Sequence, residues 1–394
     1  MAQIYEHDAT SILPILASHL PDSITCLRRI QHGVAYPSPT AKILATFPPS
    51  ATPDPDSSWL AARVDLFLGR QTQIVLYSSL EARTLLPPIG SVTQSDGSTD
   101  PVLSTFDADP AELDIARDQL LALMRYVKDH LLPGYLTSLS QSESAQSAAE
   151  DKNSIVPNTN GVPLIPPPSP KAFLFGALPS ALFVLLLRDR VLADTNGEVD
   201  PIPGLRIHRF DNPPYYTYLF PRAVFGATST SVLPDGYRYH DRKGRVGVLP
   251  EHLDLVQSRT NIPRPREQLL KMPGVALYCE NDGDASREGK EEMPIAWGFL
   301  GVDGAVATLH VEPEHRGKGL ALALSKKVMR EGMVPGGTFG AERSDIQDEE
   351  VRGKLGEWVH TEVAQYNKAS RRVMEKIGGE VMSTVMWTVI ELVD

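Results

Sequence analysis

The stretch that decides the fold is residues 305–330, which read AVATLHVEPEHRGKGLALALSKKVMR. Its opening residues are mostly apolar and predict a buried strand. The strand ends by Pro313, because proline cannot donate a hydrogen bond to a sheet. Apolar side chains then recur every four residues and predict an amphipathic helix; they are Leu320, Leu324 and Val328. The pattern is therefore a strand, a short turn and a helix.

The turn between this strand and this helix carries two cations and two glycines, in the order Arg316, Gly317, Lys318 and Gly319. A helix N-terminus leaves about four backbone N–H groups without partners and carries roughly half a positive charge. Glycines let an anion approach the main chain closely, so the turn is predicted to hold a diphosphate. The nucleotide P-loop pattern is absent, and Leu322 stands where the dinucleotide pattern needs its third glycine.

Length and composition limit the class of protein. The chain has 394 residues, a length that suits two domains. Its content of 42% hydrophobic residues is sufficient to form hydrophobic cores. A net charge of −11 argues against nucleic acid or an anionic membrane as the main partner. Cys26 and Cys279 give neither a disulfide framework nor a metal set, so a cytoplasmic location is expected. The most apolar run, residues 173–187, is too short to span a bilayer.

Periodicity along the chain predicts a mixture of helices and strands. The first part is predicted to contain helices over 11–20 and 111–132 and strands over 24–30, 41–47 and 72–80. Residues 138–170 are rich in Ser, Gln, Asn and Pro and are predicted to form a disordered insertion. The second part is predicted to contain strands over 275–280, 295–300, 358–364 and 380–392 and a helix over 367–377.

The charged turn also fits a known motif. Residues 316–321 match R-x-x-G-x-A, with V-x-P at Val311 and Pro313 before them, and this resembles the acetyl-CoA-binding motif of the GNAT N-acyltransferase superfamily. Residues 294–319, PIAWGFLGVDGAVATLHVEPEHRGKG, are similar to the glycine N-acyltransferase-like group. The resemblance implies an α+β fold in which helices flank a mixed sheet. It further implies two tandem GNAT-like halves, 1–240 and 241–394, with the coenzyme motif only in the second.

The resemblance also implies which groups would hold acetyl-CoA or another acyl-CoA as cosubstrate, without a metal. Main-chain groups of Leu309 and Val311 would bond the pantetheine arm. Asn367 and Ser370 would lie near that arm or the thioester sulfur, although asparagine is also a common helix cap. The pyrophosphate would contact the side chains of Arg316 and Lys318 and the amides of Gly317, Lys318, Gly319, Leu320 and Ala321.

Acyl transfer to an amine needs a group that takes up the proton of the amine. The glutamate that the family places on the strand before the loop aligns with Ala305, and the tyrosine acid of the superfamily aligns with Met374. Glu362, on a strand expected to flank the cleft, is the first candidate for a substitute base. His310 is the second, although strand parity puts it opposite Ala305 unless a bulge intervenes. Further candidates are Glu312, His360 and Tyr366.

The sequence therefore favours an acyl-CoA-dependent N-acyltransferase that acts on a small amine or an amino acid by direct attack in a ternary complex. A protein or peptide N-acetyltransferase is the alternative among enzymes, and an acidic surface around the cleft would favour it. Ala305 and Met374 suggest an alternative from another class, a regulatory module that binds acyl-CoA without turnover.

Overall fold

The structure, a computed structural model, describes residues 2–55, 57–87, 102–143, 165–188, 201–225, 233–280, 291–334, 336–340 and 346–393. The first half (elements up to residue 225) contains strands β1 (Tyr5–His7), β2 (Lys42–Ala45), β3 (Leu60–Val64), β4 (Ile74–Ser78), β5 (Thr84–Leu85), β6 (Thr105–Phe106), β7 (Phe173–Pro179), β8 (Leu205–Phe210) and β9 (Tyr215–Pro221). Its helices are α1 (Ala9–Ser18), α2 (Ile24–Ala35), α3 (Pro110–Tyr126), α4 (Leu132–Glu143), α5 (Ser180–Phe183) and α6 (Arg222–Phe225).

The second half (elements from residue 233 onwards) contains strands β10 (Tyr237–Arg238), β11 (Gly274–Cys279), β12 (Ala296–Leu300), β13 (Val306–Val311), β14 (Trp358–Ala364) and β15 (Glu380–Leu392). Its helices are α7 (Leu253–Ser258), α8 (Arg266–Leu270), α9 (Leu320–Gly332), α10 (Glu349–Lys354) and α11 (Lys368–Ile377). Both halves contain helices and strands, and the main sheet mixes parallel and antiparallel pairs. The predicted α+β class with a mixed sheet is thus confirmed.

The two halves pass through the same order of elements. In each, a pair of helices precedes three antiparallel strands, β2-β3-β4 in the first half and β11-β12-β13 in the second. The third strand then meets the next long strand through a parallel pair, Ile74 with Phe175 in the first half and Ala305 with His360 in the second. This repetition confirms the predicted tandem organisation.

The halves exchange their last strands. The main sheet runs β1-β2-β3-β4-β7-β15-β9-β14, so β15 of the second half lies beside β7, and β9 of the first half lies beside β14. The β9–β14 pairing extends over the whole length of both strands, from Pro221 opposite Trp358 to Tyr215 opposite Ala364. Each half therefore depends on the other for a strand. The boundary at residue 240 stays a prediction.

The core of the second half shows the same dependence. Tyr216, Tyr218 and Phe220 of β9 are buried together with apolar side chains of α9 and α11. Burying one large apolar side chain contributes about 1.5–3 kcal/mol. The first half thus supplies part of the stability of the second.

The predicted strand over residues 24–30 is wrong, because these residues open helix α2. Ile24, Leu27 and Ile30 recur every three residues, and Leu27 and Ile30 enter a core built mainly from the first half. The intervening Arg28 is equally buried and faces the second half. The polar residues of this helix are buried as well, and a short apolar run of this kind cannot be told from that of a strand by its pattern.

The predicted insertion begins too early, since α4 continues to Glu143. Residues 144–164 lie outside the described residues, and residues 165–170 are in neither a helix nor a strand. The apolar run that follows forms β7 and α5 and is largely buried. Among the helices described, none combines the length and the apolar character that crossing a membrane requires.

Candidate active site

Strands β13 and β14 meet at one end and then separate. Ala305 and His360 form a parallel pair, and the Thr361 hydroxyl donates to the Val306 carbonyl oxygen at 2.7 Å. Beyond these contacts neither strand pairs with the other, so a wedge-shaped opening follows, which we call the wedge. Because paired residues point to one face of a sheet, Ala305 and His360 share a face, and Ala307 and Glu362 follow them on it.

A β-bulge changes the direction of the side chains along β13. Phe299 of β12 pairs with Ala307 and Trp297 pairs with His310, so two residues of β13 lie opposite one residue of β12. The first of the two, Thr308, has a φ of 52°. The bulge places His310 on the same face as Ala307, whereas a regular strand would place it on the opposite face. It also takes main-chain groups out of the ladder at the wall of the wedge.

The loop between β13 and α9 forms a cradle of main-chain amides. Gly317 and Gly319 have φ values of 78° and 79°, a region that glycine adopts readily. A Cβ atom added to either glycine would have nothing within 4 Å, so the space above the loop is open. The five amides of residues 317–321 donate to no acceptor in the part of the chain that the structure describes. Such a surface fits a diphosphate.

The two cations of the loop already have partners. Arg316 Nε donates to the carbonyl oxygen of Val311 at 2.8 Å, which ties the loop to the end of β13. Lys318 Nζ donates to the Tyr237 hydroxyl at 2.9 Å, and this hydrogen bond raises the pKa of Lys318. The Tyr237 hydroxyl also lies 3.0 Å from His315 Nδ1. Both cations remain exposed at the mouth of the wedge.

Asn367 and Ser370 open helix α11, as predicted, but their observed contact is with each other. The Asn367 side chain caps the helix and accepts a hydrogen bond from the Ser370 amide at 3.1 Å. Met374, one turn further along, is buried in the core. The side chain at the position of the superfamily's tyrosine acid therefore has a packing role.

A histidine and a carboxylate lie at the closed end of the wedge. The side chain of His360 is fully buried, and that of Glu362 is 5% exposed. His360 Nε2 lies 3.3 Å from Glu362 Oε1, without hydrogen-bond geometry, and 3.2 Å from the hydroxyl of Thr25 in α2. The first half therefore contacts the candidate site through α2.

His310 stands on the wall of the wedge formed by β13. Its ring stacks on Trp297, with 4.6 Å between ring centroids, and its Nε2 lies 3.4 Å from Glu312. Burial lowers the pKa of His310, an effect that the Glu312 carboxylate opposes and nearby cations reinforce. The imidazole is consequently neutral near pH 7 and can accept a proton. Around it the Trp297 indole nitrogen and the Thr308 hydroxyl are buried without a partner in the described chain.

Sequence reasoning missed three of these residues: Thr25, Trp297 and Thr308. Thr25 lies more than 300 positions from His360, and no local pattern connects two such residues. The bulge at Thr308 leaves no signature in the apolar pattern of the strand, so the sequence does not reveal it. Where the structure describes the chain, no group of three or more His, Cys, Asp or Glu residues could hold a metal ion.

Comparisons with solved structures give weak overall likenesses. A Drosophila protein has a TM-score of 0.44 and 10% identity, covering 99% of this chain and 98% of its own. A tandem GNAT protein from the clavulanic acid biosynthesis pathway has a TM-score of 0.37 and 12% identity, covering 98% and 97%. A putative GNAT-family acetyltransferase from Novosphingobium aromaticivorans has a TM-score of 0.30 and 16% identity, covering 50% and 71%. No curated protein sequence matches the chain.

A match at the level of the family is more informative than these superpositions. The family described as "Acyl-CoA N-acyltransferase verG N-terminal domain" matches residues 1–218. The match covers more than half of the chain, and it lies in the half without the motif of residues 316–321. This match establishes that the chain belongs to this family of acyl-CoA N-acyltransferases.

Proposed function

We propose that the wedge between β13 and β14 binds an acyl-CoA, with acetyl-CoA as the expected donor, and that the acyl group passes to the amine of a small molecule or an amino acid. The observation that carries this proposal is the continuity of the wedge with the cradle. The edge of β13 that β14 leaves unpaired leads directly into residues 317–321, whose amides have no acceptor in the described chain.

The chain would hold the two ends of the coenzyme in different ways. An extended pantetheine arm can bond the main chain of Leu309 and Val311 as an added strand would. The pyrophosphate can accept from the amides of the cradle, with Arg316 and Lys318 as charges at its rim. Acyl-CoA supplies an activated thioester when bound. Placing it beside the amine in a ternary complex can contribute about 7–11 kcal/mol in ideal cases.

Glu362 is the residue that we assign as general base. Glu362 lies on β14, on the same face of the sheet as Ala305, the position with which the family's glutamate aligns. Its Oε1 has no hydrogen-bond partner in the described chain. A carboxylate at this place can take the proton of the amine directly or through a water molecule. His310 is the second candidate, because the bulge turns its neutral ring onto the same face.

One reaction series tests the proposal. Calorimetry with CoA and acetyl-CoA measures binding, and release of free thiol is then followed with small amines, amino acids and lysine-containing peptides. Binding together with release that depends on a small amine supports the proposal. Faster release with peptides would shift it to a peptide acetyltransferase, whereas the exposed Arg316 and Lys318 at the mouth of the wedge should repel lysine-rich peptides. No binding of any CoA compound would overturn it.

A module that binds acyl-CoA without turnover is the second candidate. Ala305, Ala307 and Met374 carry no group that can move a proton, and Met374 is buried. Tight binding of acetyl-CoA without thiol release for any amine would favour this module. We expect either function in the cytoplasm, since Cys26 and Cys279 are both free thiols.

A further inference from the structure

Helix α2 carries a second arginine beside Arg28, and the two differ in their surroundings. Arg28 donates to Gln31 Oε1 and to the carbonyl oxygens of Phe339, Leu355 and Trp358, which ties α2 to the second half. Arg29 is also buried, at 5% exposure, but it has neither a hydrogen bond nor an ion pair with any residue that the structure describes. A buried guanidinium normally has such partners, because burying an unpaired charge is costly.

Two further arginines belong to the same charged surroundings, since Arg63 lies near Arg29 and Arg264 shares its neighbour Asp303. Arg63 of β3 is buried against α2, where a Cβ added to Gly33 would lie 3.1 Å from Arg63 Nε. Arg264, between α7 and α8, has a buried Nε without a partner in the described chain. The guanidinium groups of Arg29, Arg63 and Arg264 make no hydrogen bond to any described residue; we call these three the arginine cluster.

The nearby carboxylates neutralise the arginine cluster only in part. Asp65 accepts from the hydroxyls of Ser38 and Thr40, and its distance to Arg63 Nη2 is 3.7 Å. Asp303 accepts from the Ala305 amide and forms no ion pair within 4.0 Å in the described chain. The three arginines therefore have two carboxylates nearby, and both carboxylates accept hydrogen bonds from other groups. Within the residues that the structure describes, the cluster therefore keeps an excess of positive charge.

The electrostatics agree with that geometry. Burial lowers the pKa of Arg29 to about 9, and Arg63 lowers it further, while Asp303 and Asp65 oppose the change. Burial likewise lowers the pKa of Arg63 and of Arg264. His32, one turn after Arg29 on α2, is held neutral and its buried Nε2 has no partner in the described chain.

We propose that the arginine cluster is a binding site for a small oxyanion, a carboxylate or a phosphate, between the two halves of the protein. Guanidinium groups present planar pairs of N–H donors that match the oxygens of both anions. Such an anion would be bound by α2 and β3 of the first half and by the loop before α8 of the second. It would thus hold the two halves together.

The place of the site suggests one source for the anion. Arg29 lies one helical turn after Thr25, which contacts His360, and Asp303 lies two residues before Ala305, so the cluster is next to the closed end of the wedge. A carboxylate of the acceptor amine could reach it, and this version of the proposal rests on the proposed function. A free phosphate ion is the other source, and it requires no transferase activity.

Thermal unfolding of the full chain tests the site without reference to activity. Sodium phosphate, sodium acetate and sodium chloride are compared at equal ionic strength, for the wild type, for Arg29→Gln and for Arg206→Gln. Arg206 is the control because its side chain is 60% exposed and lies on β8. We expect phosphate or acetate to raise the Tm of the wild type and of R206Q above the chloride value, and R29Q to lose this rise.

Kinetics then distinguish the two sources. An amino acid and its uncharged amide are compared as acceptors, and the ratio of their kcat/KM values is measured. If the acceptor supplies the carboxylate, the preference for the acid falls about tenfold or more in R29Q and stays in R206Q, since a hydrogen bond between charged groups contributes that much. If the preference is unchanged but the phosphate effect on Tm is lost, the bound anion is a free phosphate.

Three results would overturn the proposal. In the first, phosphate and acetate give the wild type the same Tm as chloride, and the enzyme shows no preference for the amino acid over its amide. Another is an anion effect on Tm that persists in R29Q. The last is a large loss of Tm in R29Q when no anion is added, which would assign Arg29 a structural role like that of Arg28. If acetyl-CoA binds but no amine is turned over, the thermal measurements still decide whether the site exists.

Discussion

Thr308 sets the geometry of the wedge at the scale of one residue. Its left-handed conformation is unusual for a β-branched side chain and costs roughly 1–3 kcal/mol. Pairing with β12 on both sides enforces this conformation, and the result is an imidazole on the same face as Ala307. Counting parity along the sequence put His310 on the other side, because such counting assumes a regular strand. The local strain that reverses its direction comes from pairing that the sequence does not display.

Replacing Glu362 by glutamine should test the assignment of the base. We expect kcat to fall about 10²–10⁴-fold, which is the usual contribution of a general base, while the affinity for CoA stays unchanged. His310→Gln is the matched comparison, since it removes the other candidate on the same face, and its effect should be smaller. Single-turnover kinetics with acetyl-CoA measure both. An E362Q protein with wild-type kcat would exclude Glu362 as base.

His32 predicts a dependence of stability on pH. Burial, with nearby arginines, lowers its pKa to about 3 in the folded protein, whereas an unfolded histidine titrates near pH 6.5. Between these values the unfolded chain binds more protons. The stabilisation is therefore complete above pH 6.5 and is lost as the pH falls towards 3.

Urea unfolding at pH 7.5 and pH 5 measures this contribution. We expect the free energy of unfolding to fall less between the two pH values in His32→Gln than in the wild type. His130→Gln removes an exposed histidine and should retain the dependence of the wild type. Equal falls in all three proteins would contradict the prediction.

At the scale of elements, β13, its loop and α9 could be read from the sequence and α2 could not. The loop is predictable because its glycines, its charges and the periodicity of its helix lie within 26 consecutive residues. Helix α2 packs in one core and also contacts the second half and the closed end of the wedge, through residues more than 300 positions away. Local patterns report what an element is, but not which distant element covers it.

Gly319→Val tests the cradle as an element. Valine at a φ of 79° is strained by roughly 1–2 kcal/mol, and its side chain would fill the open space where a pyrophosphate is expected. We expect the affinity for CoA to fall about tenfold or more, the loss of one or two charged hydrogen bonds. Calorimetry provides the measurement.

Gly244→Val is the matched control for this experiment. Gly244 has a φ of 78°, and a Cβ added to it would also have nothing within 4 Å, but it lies outside the loop. Both variants should lose similar stability, and only G319V should lose affinity. Equal affinities in the two variants would place the pyrophosphate elsewhere.

At the scale of the whole molecule, the exchange of strands joins the two halves into one structure. The sequence predicted tandem halves through a family resemblance, but it gave no sign that β9 pairs with β14 or that β15 pairs with β7. Strand order in a sheet depends on contacts between residues far apart in sequence. The apolar pattern of β9 or β15 would be the same if the strand paired within its own half, so the pattern does not reveal the exchange.

Cutting the chain at residue 240 tests this interdependence. We expect residues 241–394 alone to lack cooperative thermal unfolding, because β14 and the aromatic core of the second half lose their contacts with β9. Co-expression with residues 1–240 should restore a folded complex that binds CoA. Circular dichroism and gel filtration are the measurements. A second fragment that unfolds cooperatively and binds CoA alone would refute the prediction.

The exchanged strand β9 has a consequence for how such a protein can evolve. It forms part of the support of β14, and β14 is one wall of the wedge. After a duplication, a copy without a binding loop is usually free to decay or be deleted. Here its removal would take β9 away from β14, so selection on the proposed reaction of one half would preserve both.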